Sequence, residues 1–73
     1  MSLVETFERA LVKDIVDELD WYHKTKDKLE CAISRFEKQN PYAFENTIHN
    51  YERELRHVKY RINILEWRLR EFD

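Results

Sequence analysis

The stretch from Phe44 to Phe72 reads FENTIHNYERELRHVKYRINILEWRLREF. Its apolar residues fall at Phe44, Ile48, Tyr51, Leu55, Val58, Ile62, Leu65, Leu69 and Phe72, so the steps alternate four and three without a break. That is a heptad seam, with Ile48, Leu55, Ile62 and Leu69 at a and Phe44, Tyr51, Val58, Leu65 and Phe72 at d. A period of 3.5 residues keeps one side of a helix turned toward a neighbour along its whole length. Leu55 and Ile62, in the middle of the seam, are therefore expected in the core.

Upstream of this stretch the only break is Gln39-Asn40-Pro41. Proline suits the first position of a helix, and asparagine before it suits the N-cap. The proline also keeps Asn40 out of the helical region. A turn is predicted at 39–41, followed by a second helix over about 41–72. Before the break, Leu3, Val4, Phe7, Leu11, Ile15, Leu19, Tyr22, Leu29, Ile33 and Phe36 mark a first helix over about 3–38. Ser2 and Glu5 fit a capping box at its start. From Ile15 onward its spacing is again heptad, with Lys26 at an a position, where Glu54 is a candidate partner. The two steps of four from Phe7 through Leu11 to Ile15 are a stutter, which relaxes a left-handed supercoil. Val12 and Val16 widen the stripe there to about half the circumference, more than one partner helix covers.

The short connection folds the helices back as antiparallel neighbours. Folding near residue 40 pairs positions whose numbers sum to about 80, such as Phe36 with Phe44, Leu29 with Tyr51, and Phe7 with Phe72. The expected fold is all-α: one domain, residues 1–73, forming an antiparallel, coiled-coil-like two-helix hairpin that dimerises into a four-helix bundle. A chain this short seldom gains enough stability from one stripe per helix, which is the reason to expect the dimer.

Composition narrows the function. Glycine is absent and proline occurs once, which excludes glycine-rich phosphate loops and dinucleotide fingerprints. Charged residues make up 38% of the chain, a load that long solvated helices can carry. Thirteen basic and fifteen acidic residues nearly cancel, so net charge does not argue for nucleic acid. The signs are segregated, however. Glu5, Glu8, Asp14, Asp17, Glu18 and Asp20 dominate the first twenty residues, and Arg53, Arg56, Lys59 and Arg61 dominate 53–61. The single Cys31 permits no intramolecular disulfide and suits a reducing, cytoplasmic setting. The sequence opens with Met-Ser-Leu-Val-Glu, which is unlike a secretory signal, and no run approaches the roughly 20 apolar residues of a membrane span.

Candidate chemistry is sparse. His23 and His57 each follow an acid by three residues, Asp20 and Glu54, which is the spacing of ligands in di-iron bundles. Both lie at rim positions, e and c, although the fold-back places them at one level. His49 is expected to stand without a partner, and Cys31 lies at an outer f position. No metal, cofactor or catalytic constellation follows, and the chain is expected to be non-enzymatic. Asp20–Lys24, Glu52–Arg56 and Glu66–Arg70 are expected as surface ion pairs.

Two surfaces remain. Phe7, Leu11, Val12, Ile15, Val16, Ile64 and Trp67 gather at the open end and are the expected homodimer interface. Tyr60 joins Ile64 and Trp67 in a stripe opposite the seam. Trp21, Lys24, Lys28, Arg53, Arg56, Lys59, Tyr60 and Arg61 form a basic, aromatic middle suited to a protein partner or a nucleic acid. The function expected is protein–protein interaction, as a small structural or regulatory factor acting as a homo-oligomer. The alternative is an RNA- or DNA-associated regulator using the basic middle.

Overall fold

A computed structural model describes residues 3–72, with side chains from Thr6 onward. The Ser2 and Glu5 capping pair lies outside the described side chains. Two helices, α1 (Leu3–Gln39) and α2 (Glu45–Arg70), pack against each other as a hairpin. Neither helix is long and apolar enough to cross a membrane. The hairpin is a rod of 58 × 15 × 14 Å. Its radius of gyration is 17.0 Å, where a globular chain of this length would have about 11 Å.

The turn departs from expectation in its length. Asn40 does cap: its side-chain oxygen accepts from the backbone N–H of Tyr42 at 3.2 Å and of Ala43 at 3.3 Å. Its carbonyl accepts from Phe44 N–H at 3.2 Å. The capped segment is a single turn, 41–44, and regular helix starts only at Glu45. The break is at Phe44, whose backbone leaves helical values (φ −110°, ψ 20°). Its ring packs on Phe36 with centroids 4.9 Å apart.

The turn is thus longer than expected, running from the end of α1 at Gln39 to the start of α2 at Glu45. Phe36 is tilted against Phe44 of the turn, the pairing expected from the sequence, and is stacked on Tyr51 of α2 at 5.9 Å. These three rings seal the closed end. Below them Leu29, Val58 and Ile62 form the centre of the core, with Leu19, Tyr22, Tyr51 and Leu55 packed around it. Ile48 and Leu65 are also buried, and Leu65 is the only fully buried side chain among the described residues, at 1% exposure. Ile62 is core as expected, whereas Leu55 is only half-buried.

The open end is uneven. α1 has 37 residues and α2 has 26. The chain continues past Arg70 to Phe72 at the level of Glu8 to Lys13, so it is the first turn of α1, up to Phe7, that extends past it, about 7 Å at 1.5 Å per residue. Phe72 shares a surface hollow with Glu8, Arg9, Val12 and Lys13, starting one residue from the Phe7 it was expected to meet. Phe7 is left 68% exposed, and Leu11 is exposed as well.

Candidate interaction surface

The apolar stripe of α1 continues through Leu11 and Phe7 to the open end, where both are left exposed, Phe7 the more so. Of the expected interface residues, Phe7, Leu11, Val16 and Trp67 are exposed, while Val12, Ile15 and Ile64 are half-buried. Phe7, Leu11 and Val16 of α1 and Trp67 of α2 are all exposed, so both helices present apolar side chains toward this end. Eight large apolar residues are exposed among the described ones, and five of them, Phe7, Leu11, Val16, Trp67 and Phe72, lie here.

The middle of the rod is shaped differently. On one side the helices leave an open groove of about 560 Å³. Its floor is Tyr22, Leu29 and Val58, and its lips include Trp21 on α1 with Arg53 and His57 on α2. Trp21 stands edge-on to Tyr22, with ring centroids 5.0 Å apart, and is 61% exposed. Thr25 lines the same wall. Its hydroxyl donates back to the carbonyl of Trp21 at 2.8 Å, which draws the short side chain along the helix. Sequence reading singled out Trp21 and Arg53 but not the concavity. The signal was the small Thr25 four residues after Trp21, on the same side of α1.

The basic residues make a band rather than a face. Lys24, Lys28, Arg53, Arg56 and Lys59 are exposed and Arg61 is half-buried, with Tyr60 exposed among them. At about 100° per residue, Lys59, Arg56, Arg53 and Arg61 spread over roughly 200° of α2, the whole arc outside its seam. Lys24 is already matched, with its ammonium 2.9 Å from the Asp20 carboxylate. The hydrogen bond to Asp20, and then its charge, raise the lysine pKa above the ordinary value.

The other expected ion pairs are replaced. Glu66 reaches across to His23 at 3.8 Å instead of pairing with Arg70. Glu52 turns back to His49 at 3.9 Å instead of forward to Arg56, so His49 has the partner it was not expected to have. Nor do His23 and His57 share a site. His57 stands on the groove lip, and His23 turns to Glu66, nine positions further along α2. Lys26 is half-buried and forms no ion pair with Glu54 among the described residues. No group of three or more His, Cys, Asp or Glu among the described residues is placed to hold a metal ion. Cys31 is exposed and free.

Compared with known proteins, the chain matches no family model, no curated sequence and no solved structure.

Proposed function

We propose that this hairpin is a self-associating protein–protein interaction module, a non-enzymatic structural or regulatory factor that works as a homodimer. Two hairpins join through their open ends into a four-helix bundle, and a reducing, cytoplasmic setting suits the lone free cysteine. The observation that carries this reading is the gathering of five of the eight large exposed apolar side chains at one end of the rod. Scattered apolar residues are ordinary on a surface, but a cluster marks a contact. Area supports the same reading. The chain exposes 6164 Å², where a compact monomer of its mass exposes about 4,900 Å². The excess of about 1,300 Å² is larger than the roughly 800 Å² that each partner gives to a standard interface. A two-fold contact would set the same patch of both copies face to face.

Light scattering coupled to size exclusion tests this on the wild type and on a Leu11→Glu, Val16→Glu variant, both sites being exposed in the single hairpin. The wild type is expected to be a dimer at tens of micromolar and the variant a folded monomer. A monomeric wild type refutes the reading, and a dimeric variant moves the interface elsewhere. The spread of the basic band around α2 favours charge pairing between proteins over tracking a phosphate backbone, which needs cations along one side.

A further inference from the structure

We infer that the protruding first turns of α1 dock in the mid-rod groove of a second copy of this chain, reciprocally. The inference rests on the proposed dimer and states where its overhanging segments go. The first argument is continuity. Phe7 and Leu11 prolong the stripe that buries Leu29 and packs Leu19 and Tyr22 further along α1. Both are exposed, Phe7 by 68%, so the chain's own second helix leaves this end of the stripe incompletely covered. The groove offers such a floor in Tyr22, Leu29 and Val58. Its volume lies within the roughly 300–1,000 Å³ of ordinary binding pockets. Helix-in-groove recognition uses anchors spaced as Phe7 and Leu11 are, four residues apart.

The second argument is geometry. The exposed stripe is centred near residue 9 of α1, and the groove near residue 26. A two-fold axis at the level of Asp17, halfway between, brings each overhang onto the other copy's groove in one operation. The third argument is charge. Asp14 and Asp17 precede the groove-lining Trp21 by seven and four residues, so they share its side of α1. Arg61 and Arg68 follow the groove-lining Glu54 by seven and fourteen, and so share its side of α2. With the axis near Asp17, the acids of one copy approach the arginines of the other, which offset the repulsion between the two Asp17 carboxylates that meet at the axis. The segregation of the acidic first half of α1 from the basic stretch of α2 then has a physical purpose, since it fixes the direction in which two copies meet.

Intermolecular paramagnetic broadening tests this. An Ala10→Cys, Cys31→Ser chain carries a spin label beside the anchors and is mixed, in excess, with isotope-labelled wild type. Amides around Thr25, Leu29, His57 and Val58 of the wild type should lose most of their signal. Broadening confined to residues 3–13 would mean that overhang packs on overhang, and would overturn the inference while leaving the dimer standing. Absence of any broadening in a sample that scatters light as a dimer overturns it equally, and a monomeric sample overturns both readings. A second variant, Thr25→Trp, fills the groove away from the open end. It should raise the dimer dissociation constant at least about tenfold with helicity retained. An unchanged constant refutes docking.

Discussion

Replacing Leu65 by alanine is the most direct probe of the hairpin's stability. Leu65 is 1% exposed, at a d position of α2. Truncation removes three side-chain carbons and leaves a cavity between two rigid helices that cannot easily close. Buried leucine-to-alanine changes cost about 2 to 5 kcal/mol, and a fully enclosed site belongs in the upper half, about 3 to 5 kcal/mol. A chain of 73 residues has a total stability of about 4 to 11 kcal/mol. So thin a core belongs near the lower figure. The midpoint of thermal unfolding should therefore fall by about 12 °C or more, and the variant is expected to be partly unfolded at 37 °C. Leu55→Ala is the internal control. Leu55 is half-buried, so its truncation should cost roughly half as much, about 1 to 2.5 kcal/mol. Circular dichroism melts of the three proteins at one chain concentration measure both, with concentration held fixed because association contributes to the midpoint. If Leu55→Ala proves as costly as Leu65→Ala, or if Leu65→Ala melts with the wild type, the packing described for α2 is wrong.

Asn40→Ala removes the acceptor for two backbone N–H groups of the turn and should cost about 1 kcal/mol, while Asn40→Asp should stay near the wild type; chemical denaturation reads both. The basic band should not retain nucleic acid. A gel-shift assay with generic RNA at physiological salt is expected to show no complex, and Arg53→Gln, Arg56→Gln, Arg61→Gln should leave that result unchanged. Sub-micromolar binding by the wild type would instead support the nucleic-acid reading.

The hairpin was legible because one period governs nearly the whole chain. Unbroken steps of four and three, interrupted once by Asn40 and Pro41, leave little else for the sequence to form. The end of α1 was placed within a residue. The start of α2 was not, because the cap at Asn40 is real but serves a turn that Phe44 interrupts to reach Phe36. That contact, Phe36 with Phe44, was itself expected from the fold-back; what no local propensity encodes is that it interrupts the helix at Phe44. The ion pairs failed for a related reason. Spacing along one helix predicted Glu66 with Arg70, but the glutamate had a histidine of the other helix within reach. An exposed pair is worth under about 1 kcal/mol, so small geometric advantages decide which one forms.

The two ends of the rod differ in kind, and that difference orders the rest. At the closed end Phe36, Phe44 and Tyr51 satisfy one another within a single chain, and the exposed Tyr42 there stands alone. At the open end Phe7, Leu11 and Val16 of the longer helix stay exposed. Asymmetric helix lengths are costly in a lone hairpin, because each uncovered apolar residue forgoes the burial that would offset its ordering. They are useful in a pair, because an overhang can reach a surface that a blunt end cannot. The charges follow the same division, acids on the first half of α1 and cations around the middle of α2. Exposed apolar residues at one end, segregated charge and a groove in the middle are three separate features of one chain. The proposed second copy, related by a two-fold axis, would account for all three at once.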